Sequence, residues 1–155
     1  MGCAHDSSID DEGAVTLGEP GGAQVRLWNR VASDDEVIKS CVEIVASTET
    51  QSLSAAVHAV TLVGVREDLT PFLTGIGQDF AGWDGVRSWR NLDRDVEVGA
   101  RHVTGGYIDL QWTLRSRSYE WVRPWSASAT IRVEAGEQMR RLTADMYRFL
   151  HPGDQ

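Results

Sequence analysis

The stretch from Asp95 to Arg115 constrains the fold of this chain more than any other. Val96, Val98, Ala100 and His102 alternate with more polar residues, and so do Ile108, Leu110, Trp112 and Leu114 after Thr104-Gly105-Gly106. Such a period of two marks a strand with one buried face. Opposed residues of a hairpin share a face, so the two numbers of each pair must sum to an even value. That requires an odd loop, and a three-residue loop with glycine in the left-handed region supplies it. The resulting register sets His102 against Ile108, Ala100 against Leu110, Val98 against Trp112 and Val96 against Leu114. On the opposite face Arg101 meets Asp109 and Asp95 meets Arg115, two opposite-charge pairs that support the register independently. A two-residue turn would instead oppose Arg101 with Leu110 and Glu97 with Leu114.

The flanking segments extend this pattern. Strands are predicted over 24–32, around Val42–Ala46, over 53–64, near 87–92 and over 124–133. The first two read as a hairpin around the polar Asp34-Asp35-Glu36. The 53–64 run carries Val57, Val60, Leu62 and Val63, apolar on both faces, and reads as a central strand. Two segments change period. Leu69, Phe72, Leu73, Ile76 and Phe80 make a helical stripe over 68–81, with Asp68 or Thr70 as the cap. Met139, Leu142, Met146, Phe149 and Leu150 make another over 135–150, with Glu137–Arg141 and Arg141–Asp145 spaced for ion pairs. The expectation is an α+β domain: one antiparallel sheet of about six to seven strands with both helices packed on it.

A chain of 155 residues fits one domain, without internal repeats. Its 15 basic and 23 acidic side chains leave a net charge of -8, which argues against general nucleic-acid binding and against docking on anionic membranes. Residues 1–20 hold Asp6, Asp10, Asp11, Glu12 and Glu19 and no basic residue, so this stretch reads as an acidic, solvated tail preceding a domain over 21–151. No stretch approaches the ~20 apolar residues of a membrane span. The start lacks the basic and apolar regions of a secretory signal, so the expected location is cytoplasmic. Cys3 and Cys41 form no C-x-x-C pair, and nothing in their placement suggests a disulfide framework or a metal site.

Five of the six tryptophans, Trp83, Trp89, Trp112, Trp121 and Trp125, fall within residues 83–125. Trp112 and Trp125 sit on faces predicted to point inward. Trp83 and Trp121 sit in turns or loops, where tryptophan can anchor a ligand or a partner. The segment Phe80-Ala81-Gly82-Trp83-Asp84-Gly85-Val86-Arg87-Ser88-Trp89 sets aromatic rings beside Asp84 and Arg87 at a helix-to-strand junction. One reading is a pocket whose arginine takes an anionic group, with Trp83, Asp84, Arg87, Trp89 and Trp121 as its residues. The other is a structural turn in which Asp84 caps backbone N–H groups and Arg87 forms an ion pair. His102 is the one histidine on an element with a clear buried face and reads as a core histidine. As a catalytic base it would need an acid such as Glu134 or Asp109, and Asp109 faces the other way in the register above. His5 and His151 are assigned to the tails. No catalytic residue, cofactor or metal is predicted, since no nucleophile elbow, zinc-binding helix or phosphate loop occurs.

The Phe80-x-Gly82-Trp83-Asp84-Gly85-x-Arg87-x-Trp89 segment, His102, Trp125-x-Ala127-x-Ala129, Glu134-Ala135-Gly136-Glu137-Gln138 and Phe149-Leu150 together resemble a family of small actinobacterial (Streptomyces-type) proteins of unknown function. The resemblance spans roughly residues 20–150 and carries no site residues with it. It implies a GC-rich genome, consistent with Lys39 being the single lysine among the basic residues. Function is therefore read from the chain itself: a non-enzymatic binding protein, of the kind that neutralises a basic protein as an immunity-type inhibitor, or alternatively a small-molecule or peptide-binding domain using a Trp/Arg pocket near residues 83–89.

Overall fold

The computed structural model describes residue 3 and residues 13–34, 36–64, 67–116 and 124–152. The elements are β1 Val15–Gly18, β2 Gln24–Asp34, β3 Val37–Ser47, β4 Ser52–Leu62, α1 Leu69–Gln78, β5 Val86–Arg90, β6 Val96–Val103, β7 Tyr107–Arg115, β8 Ser126–Glu134 and α2 Glu137–Leu150. Four strands and a helix thus follow one another twice. The strands form two antiparallel sheets, β1-β2-β3-β4 and β5-β6-β7-β8, each in chain order. The expected single sheet of six to seven strands is corrected on two points. The helix between β4 and β5 separates two meanders that do not pair with one another. β1 adds an eighth strand inside the stretch expected as tail, so the sheet begins before the expected boundary at residue 21.

The apolar faces of both sheets and both helices share one core. Val25, Leu27, Ile38, Val42 and Ile44 contribute from the first sheet, and Val98, Leu110, Trp112, Leu114 and Ile131 from the second. β8 touches β1, β2 and β3 across this core, with half-buried Ala129 on its inner side. The helical stripes behave as their periodicity predicts: Leu69, Leu73 and Ile76 are buried on α1, and Met139, Leu142, Met146, Phe149 and Leu150 on α2. Phe80 and Trp125 are exceptions. Each lies just outside its element, beyond the end of the core, and is exposed.

The β6–β7 register is the one the alternation dictates, from Val96 opposite Leu114 to His102 opposite Ile108. Its loop is Thr104-Gly105-Gly106, and both glycines have positive φ. The first sheet departs further from expectation. The 53–64 run is β4, an edge strand whose Val57 and Val60 are half buried. The strand buried on both faces is β3. Ile38, Ser40, Val42 and Ile44 face the core, while Cys41 and Glu43 are buried on the outward side. Trp28 of β2, opposite Cys41, is buried on that side too.

Cys41 is bonded to Cys3, with Cα atoms 5.6 Å apart, a pairing that nothing in the placement of the two cysteines suggests. Spacing gave no sign of it, because the partner lies 38 residues away outside any regular element. In the chain-entropy account a loop of this length stabilises the fold by about 4 kcal/mol.

The helix ends are tied across the two halves. Asp68 caps α1, its Oδ1 accepting from the Thr70 N–H at 2.9 Å and its Oδ2 from the Gly64 N–H at 2.9 Å. The same Oδ2 lies 3.0 Å from Nε2 of His151, the residue that ends α2, and the His151 ring stacks on Tyr147 at 4.4 Å. His151 is therefore part of the helix packing and not of a tail. Arg30 of β2 donates to the carbonyl oxygens of Phe149 at 3.1 Å and Arg148 at 3.4 Å, satisfying acceptors that a helix C-terminus leaves open.

Candidate functional site

The helix-to-strand junction brings Trp83 and Arg87 together. The Arg87 guanidinium carbon lies 4.6 Å from the centroid of the Trp83 ring, and its Nη2 donates to Asp79 Oδ2 at 2.8 Å. Trp83 is itself anchored. Its Nε1–H donates to the Ala100 carbonyl at 3.2 Å, and its ring meets His102 edge-on at 5.6 Å. Gly82 permits this packing. It has φ +89°, and a Cβ there would fall 2.6 Å from His102 Nδ1. No other residue type fits that position without moving the histidine.

The other residues predicted for this site go elsewhere. Trp89 is buried in the core, with its Nε1–H donating to the Glu67 carbonyl at 2.8 Å. Asp84 is exposed, and the acid that pairs with Arg87 is Asp79 at the end of α1. Trp121 lies outside the described residues. His102 has neither of its two candidate acids. Asp109, on the outward face, accepts from Arg132 through both oxygens at 2.8 and 3.1 Å. That hydrogen-bonded contact is the main reason the Asp109 carboxyl lies below its ordinary value; burial opposes it, and the charges of Arg132 and Arg101 add to the lowering. Glu134 accepts from the backbone N–H groups of Gly136 at 2.7 Å and Gln138 at 3.3 Å as α2 begins, and these bonds lower its pKa.

Among the described residues no group of three or more His, Cys, Asp and Glu is placed to hold a metal ion, and no helix is long and apolar enough to cross a membrane. The outward face of the second sheet is wide and polar. One row across it is Val86, Arg101, Asp109 and Arg132, and the next is Ser88, Gly99, Gln111 and Thr130.

The first sheet carries a feature that sequence reading missed. On its outward face Thr16, Gln24, Arg26, Glu43, Val45 and Ser54 line a cavity of about 380 Å³. Glu43 is 6% exposed, yet it accepts no hydrogen bond and forms no ion pair among the described residues. Arg26 is directly opposite on β2. Its guanidinium carbon lies 5.2 Å from the centroid of the Trp28 ring. The available signal was an acid between Val42 and Ile44 in a strand whose outward positions, Cys41 and Val45, are also apolar.

Fold and surface define a small α+β domain of two four-stranded meanders, each followed by a helix. The chain belongs to a family of unknown function (DUF6228), whose model matches residues 16–153. No curated protein and no solved structure matches it.

Proposed function

We propose that this domain is a non-enzymatic protein-binding module whose partner is a basic protein, as an inhibitor of the immunity type requires. The observation that carries this reading is how the folded domain uses its charges. Arg87, Arg115, Arg132, Arg140, Arg141 and Arg148 each face an acid of the same chain. Five acids face these six arginines, Arg140 and Arg141 sharing Glu137, and the chain's excess of 23 acidic over 15 basic side chains, to which residues 1–20 contribute five acids and no base, is what a partner meets. Such an excess speeds association with a cationic surface and disfavours nucleic acid and anionic lipid. The broad outward face of the second sheet also has the form of a protein-binding surface more than that of a small-molecule cleft.

The test is co-expression with the products of neighbouring genes, followed by size-exclusion chromatography. The expected result is a stoichiometric complex with a basic protein whose affinity falls as salt is raised. Failure of every basic neighbour to bind, or an affinity indifferent to salt, contradicts the reading. A cytoplasmic setting fits a bonded Cys3–Cys41 pair poorly, because cytosolic thiols are kept reduced. Thiol titration of protein taken directly from cells separates the two settings.

A second reading rests on the side-chain exposure of Arg87, 43% while it covers Trp83. A planar cation on an indole can receive an anionic small molecule or peptide. In that case Arg87→Ala and Trp83→Ala abolish a ligand-induced change in tryptophan fluorescence, whereas an unchanged response in both variants removes the junction as a site.

A further inference from the structure

We propose that the free edge of β4 is a dimer interface, along which a second copy of this chain adds its own β4 in antiparallel register and joins the two first sheets into one. The inference goes beyond the protein-binding reading, which concerns a different partner.

Two open sheets have four strand edges. An edge carries a row of unpaired N–H and C=O groups, and proteins blunt it by shortness, charge or covering. Three of the four edges are blunted in this way. β1 has only four residues. β5 is five residues long and carries Arg87 and Arg90. β8 carries Arg132 and Glu134, and the Glu134 N–H donates to the Gln138 side-chain oxygen at 2.8 Å. β4 is the exception, with eleven residues and no charge, proline or glycine. In a chain that is 25% charged, the whole run between Glu49 and Arg66 has no charged side chain, so the bare edge extends past the strand at both ends.

The hydrogen bonds show which groups are open. The Gln51 carbonyl accepts from the Thr48 N–H at 2.7 Å, and the Val63 N–H donates to the Glu36 carbonyl at 2.9 Å. Both bonds continue the β3–β4 register, so odd-numbered residues of β4 bond to β3 and even-numbered ones point their backbone to the free edge. Val60 is closed off there, because its carbonyl accepts from the Asn91 side-chain amide at 3.2 Å. Ser52, Ser54, Ala56 and His58 remain, and among the described residues nothing bonds to their backbone on that side. The side chains of Ser52, Ser54 and His58 are exposed.

These four residues match a copy of themselves. A two-fold axis beside Ala55 sets Ser52 opposite His58 of the other copy and Ser54 opposite Ala56, and each such pair exchanges two backbone bonds. On the core side Leu53, 38% exposed, meets Val57 of the other copy. No like charges oppose one another along the pairing, which matters between two chains of net charge -8. An uncharged edge offers a cationic partner nothing to recognise. The pairing is isologous and uses the same edge in both copies, so the joined sheet ends in two short β1 strands and growth stops at a dimer.

The test is sedimentation velocity of the full oxidised chain from micromolar to millimolar concentration, with hydrogen exchange on the same samples. The expected result is a reversible equilibrium approaching twice the 17.1 kDa mass of the chain. Amide exchange at Ser54, Ala56 and His58 should slow as the dimer fills. Ala56→Pro removes an outward N–H without touching the β3 ladder, and should raise the dimer dissociation constant at least about tenfold. Ser54→Lys brings two like charges to diagonal positions across the axis and should act in the same direction. It decides the matter if Ala56→Pro does not fold. A monomer at every concentration, wild-type dimerisation of either folded variant, or a dimer whose β4 amides exchange as in the monomer overturns the proposal. Protection of those amides only in a complex with another protein assigns the edge to a foreign strand and overturns it likewise.

Discussion

On the first sheet the outward-facing Trp28, Cys41 and Glu43 are as buried as core residues, whereas on the second the outward-facing Gln111, Thr130 and Arg132 stand in solvent. Both sheets have four strands in chain order, and both feed the same core. The second is a one-sided sheet held outwardly by cross-strand pairs such as Asp109–Arg132 and Arg115–Glu97. The first is covered on part of its outer side, where Cys3 is bonded to Cys41. A one-sided sheet writes its register into alternation, and a two-sided one does not.

The largest effect is expected where the sheets meet. Trp112 is fully buried, so Trp112→Ala should cost about 3–5 kcal/mol, measured by chemical denaturation. Since both sheets share one core, fluorescence and far-UV circular dichroism should report a single coincident transition for the variant. Separate transitions would show that the two halves are stabilised independently.

Cys3→Ser should come next, lowering stability by about 2–4 kcal/mol relative to the oxidised protein and not at all relative to the reduced one. Its effect on hydrogen exchange should be local, raising exchange in β2 and β3 and leaving β6 and β7 as they were. Equal changes in both sheets would erase the distinction drawn between them.

That distinction also explains what could be read in advance. The β6–β7 hairpin was legible to the residue, because Arg101, Asp109 and the Thr104-Gly105-Gly106 loop each give the same register. Both helices were legible from their stripes. In the first sheet β1 is only four residues long, and β3 is buried on both sides, so period two is masked. The same masking hid Glu43, which passes for an ordinary polar residue on the wet side of a strand. At the junction, Trp83 and Arg87 could be named together because they share one aromatic-rich segment. The roles of Asp79, Gly82 and His102 depend on how α1 meets β6, which no local pattern encodes. The disulfide and the Asp68–His151 contact join residues far apart in sequence and leave no periodic trace.

The smallest effect is expected on the outward face of the second sheet, at the Asp109–Arg132 pair. Asp109 has a depressed pKa in the folded state, so its ionised form favours folding above its ordinary value of 3.8. Asp109→Asn should lower the thermal midpoint by about 1–2 °C at neutral pH. The difference should fade as pH falls through the folded-state value, where wild type also loses the charge.

Trp28 on the outward side of the first sheet is buried, whereas Gln111 on the outward side of the second stands in solvent. The most direct measurement is therefore the loss of stability in Trp28→Ala beside that in Gln111→Ala, by chemical denaturation at neutral pH. The account predicts a loss of about 3 kcal/mol for Trp28→Ala and of less than about 0.5 kcal/mol for Gln111→Ala. Equal losses would show that the two outward faces are alike, and would contradict the account.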